Sequence, residues 1–271
     1  MNNISVIPVG GLCNRMRVIA SSVTIAIKIQ SEECNIYWNN NEECSANFHD
    51  LFLPINIDNV NIIENNSLLH KEPSKSNFQI PRILQKLYYP QIVWGFNSKI
   101  DGNIFHKLKP AKNTLLYTCH SMCKHYPLKE LFVPCMEIQK VINEVVSAFS
   151  EKTYGLHIRR TDHIKAMEQT PLNYFYDLIE EQISKNKDVR FYLATDDEKV
   201  KSDLVNKYAN RIIVFEGELS RTSKQGMMNA VVDLFALSHT TSIFGSACSS
   251  YSELAAEIGG IPLVIKGNET R

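Results

Sequence analysis

The sequence predicts an α/β fold in which helices cover both faces of a parallel β-sheet. The chain opens with a short β-branched run, residues 3–9, which ends at two glycines and is followed by apolar residues at helical spacing over 14–29. From residue 115 to residue 265, short apolar runs alternate with amphipathic segments. Strands that alternate with helices in this way are typical of parallel sheets.

The elements follow in order, each with a local signal. Residues 34–38 predict a second strand, whereas 39–112 are rich in Asn, Pro and Lys and indicate only short helical stretches such as 82–87. Pro134 introduces a helix, and Thr170 with Pro171 is typical of a cap and a first helical turn. The later strands are predicted at 115–119, 153–158, 190–194, 211–215, 242–244 and 262–265, and the helices at 135–149, 171–184, from 197, 226–238 and 250–258. The break between 112 and 135 predicts two α/β halves, 1–125 and 126–271, with a cleft between them.

Composition and charge exclude several classes of protein. The 271 residues are 44% hydrophobic and 21% charged, which is ordinary for a soluble globular protein. Lys+Arg and Asp+Glu both total 29, so no overall attraction to nucleic acid is expected. The sequence has no pattern of a signal peptide and no apolar run of the ~20 residues that a membrane span needs. Seven scattered cysteines are typical of reduced thiols, so a cytoplasmic location is expected.

Two local features leave alternatives open. Residues 71–140 hold 11 Lys/Arg against four Asp/Glu, a basic excess that could face an anionic acceptor or a membrane surface, or form an ordinary solvated face. The cluster CHSMCKH, residues 119–125, could supply half of a zinc site. Its spacing fits no zinc pattern and a second pair of ligands is missing, so no metal site is expected.

Four polar segments follow predicted strands, at the edge where open parallel sheets bind ligands. They are GGLCNRMR (10–17), HIRRTD (157–162), TDDE (195–198) and GSACSSYSE (245–253). In the first, glycines including Gly11 mark a tight turn, and Asn14 and Arg15 start a helix with polar side chains that face the cleft. In the third, a capping box from Thr195 to Glu198 is favoured over a metal site at Asp196 and Asp197. In the last, Ser250 and Glu253 form a capping box, which is compatible with phosphate binding by open amides and by the hydroxyls of Ser249 and Ser250.

The adjacent arginines Arg159 and Arg160 are the most informative residues. Successive side chains point to opposite faces of a strand, so the two cannot both be ordinary surface charges of one face. Guanidinium groups are seldom buried without anionic partners. One of them could pair with Asp162 or Asp196, but a fork of donors for a diphosphate is the better explanation of both.

Together these segments resemble the fucosyltransferases that use GDP-fucose, especially the α-1,6 type of animals and of bacterial nodulation enzymes. The matching stretches are GLHIRRTD (155–162), FYLATDD (191–197) and VVDLFALSHTTSIFGSACSSYSELAAEIG (231–259), and the GGLCNRMR start resembles related bacterial enzymes. The resemblance covers roughly residues 153–260 and the first loop. It implies a GT-B architecture of two Rossmann-like lobes, with an acceptor-side lobe at 1–125 and a nucleotide-sugar-binding lobe at 126–271.

The resemblance also implies roles for individual residues. Arg159 would bind the donor β-phosphate with support from Arg160, and Ser249 and Ser250 would donate to phosphate. His157 and Asp233 would lie near guanosine, although taken alone they indicate a core histidine and a solvated helix carboxylate. Asn14 and Arg15 would contact the sugar or the acceptor, and Asp196 and Asp197 would order the donor loop.

One departure from the family pattern concerns the base that activates the acceptor hydroxyl. The α-1,6 enzymes place an acidic residue after RRTD, whereas Glu168 in HIKAMEQ falls about one place late. Glu168 is nevertheless the candidate general base of a metal-independent, inverting transfer that needs no cofactor.

The resemblance leaves the acceptor open. It would be a glycan, a glycolipid or a lipid-linked oligosaccharide of bacterial polysaccharide synthesis, with peripheral membrane contact through the basic region. The alternatives are a nucleotide-sugar-binding protein that has lost catalysis, or a transferase with another nucleotide-linked donor.

Overall fold

The computed structural model of the chain describes residues 3–64, 67–108, 113–161, 164–218 and 220–267. The chain divides into two compact units. The first comprises Met1–Cys135 with Ser220–Met228, and the second comprises Met136–Leu219 with Asn229–Arg271. Each unit contains one five-stranded sheet, and every pairing between strands is parallel. The predicted α/β class is therefore confirmed.

The first sheet contains the strands β1 (Asn3–Pro8), β2 (Glu33–Tyr37), β3 (Val60–Ile63), β4 (Gln91–Trp94) and β5 (Asn113–Thr118). Their order across the sheet is β3-β2-β1-β5-β4. The helices of this part of the chain are α1 (Leu12–Lys28), α2 (Phe48–Leu51), α3 (Ile80–Tyr88), α4 (Ser98–Asp101), α5 (Ile104–Lys107) and α6 (Leu128–Leu131), with a 3-10 turn at Leu68–His70. A cluster that includes Ile7 and Leu115 forms part of the core of this unit.

The second sheet contains the strands β6 (Thr153–Ile158), β7 (Arg190–Thr195), β8 (Ile212–Val214), β9 (Ile243–Gly245) and β10 (Leu263–Ile265). Their order is β10-β9-β6-β7-β8. The helices are α7 (Met136–Val146), α8 (Ile164–Gln169), α9 (Leu172–Lys185), α10 (Glu198–Tyr208), α11 (Lys224–Ser238) and α12 (Ser250–Gly259), with a 3-10 turn at Ala209–Arg211. Phe175, Phe191 and Leu204 belong to the core between this sheet and its helices.

Helix α11 lies unusually close to the central strand β6. A Cβ atom on Gly155 would stand 2.6 Å from Leu237 Cδ1 and 2.9 Å from Thr240 Oγ1. Because glycine has no side chain, β6 and the end of α11 approach more closely than any other residue would allow. This contact places α11, which carries Asp233, against β6, which carries His157.

The structure adds the strands β3 and β4 and the short helices α6 and α8 to the elements that the sequence predicted, and it shows where the other short helices of residues 39–112 lie. The predicted capping box between Thr195 and Glu198 is wrong. The cap of α10 is Asp197, whose Oδ1 accepts the backbone amides of Lys199 at 2.9 Å and Val200 at 3.0 Å. Thr195 ends β7, and its hydroxyl donates to the carbonyl oxygen of Ile158 on the neighbouring strand at 2.7 Å.

Two general features concern membrane spans and disulfides. Within the described ranges, no helix has the length and apolar character needed to cross a bilayer. None of the seven cysteines forms a disulfide. The fold is therefore held together by packing and hydrogen bonds.

Candidate functional site

The candidate site lies at the carboxyl edge of the second sheet, where β6 and β9 are neighbours and His157 pairs with Gly245. From β6 the sheet continues through β7 to β8 on one side, and from β9 to β10 on the other. Such a reversal of strand order opens a crevice at the carboxyl ends of the two central strands. Open α/β sheets bind their ligands in that crevice.

The loop after β6 is fixed from two sides. Asp196, just after β7, accepts the backbone amide of Arg160 and the hydroxyl of Thr161, both at 2.7 Å. From the side of β9, the hydroxyl oxygen of Ser246 accepts the backbone amide of Arg159 at 3.0 Å. Both arginines therefore stand on a backbone whose position is set by neighbouring strands, and Asp196 orders that loop.

The two arginines have different surroundings. Arg160 donates from Nη2 to the carbonyl oxygen of Thr170 at 2.9 Å, and its guanidinium lies 5.9 Å from the ring centroid of Phe175. Burial lowers the pKa of Arg160, although the nearby carboxylate of Asp196 opposes this shift. Arg159 is half-buried at the same edge. Part of the Arg160 guanidinium is thus used to hold the protein together.

The loop after β9 presents small residues to the same edge. The Ala247 amide donates to Thr170 Oγ1 at 3.0 Å, and Cys248 adopts a left-handed conformation with φ of +55°. Ser249 is the N-cap residue of α12 and is fully buried, but its side chain makes no capping hydrogen bond. The hydroxyl that stands before α12 is therefore not used by the helix.

A buried polar group lies behind this edge. Tyr192 donates its hydroxyl to Asp233 Oδ1 at 2.5 Å, and the hydroxyl of Tyr251 lies 3.3 Å from Asp233 Oδ2. The ring of Tyr251 stacks on His157 with 5.1 Å between centroids. Burial raises the pKa of Asp233 to about 6 and lowers the pKa of His157 to about 4. The histidine is therefore neutral near pH 7, and Asp233 is a buried carboxyl rather than the solvated one that its sequence indicates.

Three buried side-chain atoms of the second unit have no hydrogen-bond partner among the described residues: His157 Nδ1, Arg160 Nε and Ser249 Oγ. All three belong to β6, to the loop after it, or to the residue before α12. Buried polar atoms in folded proteins are nearly always satisfied, and an exception calls for a specific explanation. Their concentration at the switch point indicates a place where a ligand supplies the missing partners.

The remaining predicted residues have different positions. Glu168 is exposed on α8. Ser250 is the first residue of α12, next to Ser249 at the same edge, so it is not the N-cap residue of the predicted capping box. Asp162 falls outside the described residues. In the first unit, Gly11 is the N-cap residue of α1. Gly10 has a φ of +86°, and a Cβ atom at this position would lie only 3.0 Å from Asn14 Nδ2. The roles predicted for Gly11 and Asn14 stay predictions.

The structure gives Arg15 a supporting role. Its side chain is fully buried and donates to the carbonyl oxygen of Gly10 at 2.7 Å, to Asn41 Oδ1 at 2.7 Å, and to the carbonyl oxygen of Asn39. The guanidinium lies 5.0 Å from the ring centroid of Trp38, and burial lowers its pKa. Arg15 thus supports the loop after β1. Its predicted contact with a sugar or acceptor stays a prediction.

A polar cluster of the first unit is absent from the sequence prediction. Tyr117 donates its hydroxyl to Glu72 Oε1 at 3.2 Å, and Asn41 Nδ2 donates to Glu72 Oε2 at 3.1 Å. Burial raises the pKa of Glu72. Glu72 lies in the Asn- and Lys-rich stretch, where no periodic pattern places it next to a strand. Tyr192 and Tyr251 were likewise missed, because aromatic residues of a strand and a helix indicate only packing.

The cysteine and histidine cluster does not form a metal site in the structure. Among the described residues, no group of three or more His, Cys, Asp or Glu side chains is arranged to hold a metal ion. Cys123 Sγ instead lies 3.4 Å from the carbonyl oxygen of Ser21, and burial raises its pKa to about 11.

Solved structures with the same fold include fucosyltransferases. NodZ fucosyltransferase from Bradyrhizobium is 14% identical, with a TM-score of 0.67 over 100% of this chain and 98% of that chain. NodZ α-1,6-fucosyltransferase soaked with GDP-fucose is 15% identical, with a TM-score of 0.66 over 98% and 95%. A variant of Arabidopsis thaliana FUT1 in complex with GDP is 14% identical, with a TM-score of 0.60 over 97% and 70%.

Sequence comparison adds nothing to this result, since neither a protein-family model nor a curated protein sequence matches the chain. The chain has the fold of the fucosyltransferases that its motifs resemble, so the resemblance is confirmed at the level of fold. Its two parallel sheets are consistent with the GT-B architecture.

Proposed function

We propose that the protein is a glycosyltransferase that moves fucose from GDP-fucose to a hydroxyl group of a glycan, a glycolipid or a lipid-linked oligosaccharide. The observation that carries the proposal is the set of unsatisfied buried atoms of His157, Arg160 and Ser249 at the switch point of the second sheet. Support also comes from the solved structures of this fold that contain GDP or GDP-fucose.

The diphosphate of the donor is assigned to the loops after β6 and β9. Arg159 would bind the β-phosphate, and the hydroxyl of Ser249 and the first amides of α12, which begins at Ser250, would donate to its oxygens. Negative charge builds on the diphosphate as the glycosidic bond breaks. Donors fixed at those oxygens therefore stabilise the transition state more than the ground state.

The transfer is proposed to need no metal ion. A divalent cation would require carboxylates free to converge on it. Asp196 instead accepts hydrogen bonds from the loop after β6, and Asp197 caps α10. Positive charge for the leaving group would come from Arg159, with Arg160 in support.

The guanine base is assigned to the buried cluster of His157, Asp233 and Tyr251 at the same edge of the second sheet. The carboxylate of Asp233 is an acceptor suited to the N–H groups of guanine, and the neutral ring of His157 offers the unsatisfied Nδ1. Tyr251, which touches both residues, would hold their relative positions. This arrangement predicts a preference for guanine over uracil or cytosine.

The acceptor hydroxyl is proposed to attack the anomeric carbon from the face opposite the leaving GDP, so the product has inverted configuration. Glu168 is the proposed general base. Its exposure on α8 keeps it accessible to an acceptor, and a carboxylate is a suitable base for this proton.

The decisive experiment compares Arg159→Ala with Lys199→Ala, which removes an exposed cation of α10. With GDP-fucose and a mixed glycan panel, loss of Arg159 should lower kcat by about a hundredfold or more. The Lys199 variant should remain near the wild-type rate. Activity of the Arg159 variant within a few-fold of wild type would remove this residue from the mechanism.

A nucleotide-sugar-binding protein without catalysis is the second candidate, favoured by the position of Glu168 one place late in the family pattern. Donor hydrolysis or transfer by the wild-type protein decides between the two. Thermal-shift measurements with GDP, UDP, CMP and adenosine 3′,5′-bisphosphate test the donor class independently. A response to GDP alone supports the guanine assignment, and a stronger response to another nucleotide assigns a different donor.

A further inference from the structure

Helix α3 buries a polar side chain and exposes apolar ones. Its buried residues are Pro81 and Gln85, and Gln85 Nε2 donates to the carbonyl oxygens of Leu69 at 2.8 Å and Lys71 at 3.1 Å. On the other side, the exposed fractions are 57% for Ile83 and 80% for Leu87. A helix on the surface of a globular unit ordinarily turns its apolar face inward.

The exposed apolar residues form one continuous face. Ile80, Ile83 and Leu87 recur at spacings of three and four residues, which places them on one side of the helix. Phe78, 82% exposed, precedes this face and Tyr88 ends it. These five residues are named here the α3 apolar face.

The turn before the helix fixes the position of Phe78. Phe78 and Gln79 both have left-handed backbone conformations, with φ of +52° and +58°. Residues other than glycine adopt such conformations only when the surrounding structure imposes them. The turn therefore has a defined backbone geometry at the point where the exposed ring of Phe78 stands.

The stretch of chain that carries this face is basic. Residues 73–100 contain four basic residues and no Asp or Glu. Lys75, Arg82 and Lys86 are all exposed, and the guanidinium of Arg82 lies 5.1 Å from the ring centroid of Trp94. The apolar face is thus accompanied by a basic rim, and the preceding acidic residue, Glu72, is half-buried and accepts hydrogen bonds from Asn41 and Tyr117.

We propose that the α3 apolar face and its basic rim dock on an anionic membrane surface, with α3 lying in the plane of the lipid headgroups. Interfacial helices combine an apolar side that enters the headgroup boundary with basic residues that face anionic lipids. The uniform positive charge favours this occupant over a second copy of the chain, because two copies would bring like charges together. The basic excess of residues 71–140 then has a binding role instead of a solvated one.

The test is co-sedimentation of the full chain with vesicles of phosphatidylcholine that contain phosphatidylglycerol, compared with pure phosphatidylcholine vesicles. The protein should bind the anionic vesicles, and added salt should weaken the binding. Leu87→Ser should reduce it by about tenfold, since one apolar side chain leaves the membrane. Replacing both Lys75 and Lys86 by Gln should reduce it by about twentyfold or more.

The matched control is Met136→Ser, which removes an apolar side chain that is 83% exposed on α7 of the second unit. It should bind anionic vesicles as the wild-type protein does. Circular dichroism checks that each variant folds, and a retained thermal shift with a nucleotide keeps this question separate from the donor assignment.

Two results would overturn the proposal. Wild-type protein that stays in the supernatant with anionic vesicles does not use this surface for lipid. Concentration-dependent dimers that Leu87→Ser abolishes, without vesicle binding, would assign the α3 apolar face to a second copy of the chain.

Discussion

Replacing Asp233 by Asn measures the free-energy cost of ionising this buried carboxyl separately from its proposed role in binding guanine. Burial raises the pKa of Asp233 from 3.8 to about 6. One pKa unit corresponds to about 1.4 kcal/mol, so ionising this carboxyl in the folded protein costs about 3 kcal/mol above pH 6. The Asn side chain has no charge and keeps an oxygen that accepts the Tyr192 hydroxyl, so the packing is preserved.

The pH dependence follows from the direction of the shift. Because the pKa of Asp233 is raised, the folded state binds the proton more tightly than the unfolded state does. The associated stability is fully present below about pH 4 and is lost as the pH rises to about 6. Wild type and Asp233→Asn should therefore diverge over this window. At pH 8 the variant should be more stable by up to about 3 kcal/mol.

The assay must report on the second unit. Both tryptophans, Trp38 and Trp94, lie in the first unit, so their fluorescence is unsuitable. Native-state hydrogen exchange of peptides from β7 and α11 measures the free energy of opening where Asp233 lies. Asp203→Asn, at an exposed position of α10, is the control and should change stability by less than about 0.5 kcal/mol.

Two results would refute this reasoning. The first is an Asp233→Asn variant no more stable than wild type at pH 8, and the second is a gain that is the same at every pH. If the carboxylate also binds guanine, the stabilised variant should lose affinity for GDP by about tenfold or more, because a charge-assisted hydrogen bond is lost. Gain of stability with unchanged GDP affinity would remove Asp233 from the nucleotide site.

Three further substitutions probe the other residues. Arg15→Met should lower the free energy of unfolding of the first unit by about 3 kcal/mol or more, as tryptophan fluorescence in urea would measure, because three buried or partly buried acceptors lose their donor. A loss below about 1 kcal/mol would contradict the supporting role. Ser249→Ala should leave stability unchanged but weaken GDP binding several-fold in calorimetry. The control, Ser246→Ala, should instead destabilise the loops after β6 and β9, which Ser246 joins. Equal GDP affinity of wild type and Ser249→Ala would show that the Ser249 hydroxyl does not bind the nucleotide. Glu168→Gln should lower kcat by about a hundredfold, and a kcat within a few-fold of wild type would exclude it as the base.

The sequence predicts the second half of the fold well and the first half poorly, for a physical reason. The strand of residues 153–158 is buried on both faces, so it reads as an apolar run bounded by polar turns. The missed strands β3 and β4 have four residues each and form the two edges of the first sheet, where most of their side chains are partly exposed. An edge strand of that length leaves no sustained apolar pattern.

The candidate site was likewise predicted in part from the sequence. Local signals predicted that the loops after β6 and β9 would meet, because the carboxyl ends of parallel strands lie at one edge. Sequence reasoning could not foresee that Arg15 would be enclosed by Trp38, Asn39 and Asn41, which are distant along the chain. For Asp233, the missing information was its burial, since α11 turns this carboxyl toward Tyr192.

Cys248 gives the loop after β9 a convenient chemical property. It is the one exposed cysteine of the seven, with its Sγ 3.4 Å from Gln169 Oε1, and it is directly followed by Ser249. A maleimide dye would therefore attach selectively at the entrance to α12 without any engineering of the chain. Protection of this thiol from alkylation by added nucleotide would then provide a direct readout of ligand occupancy at the loop after β9.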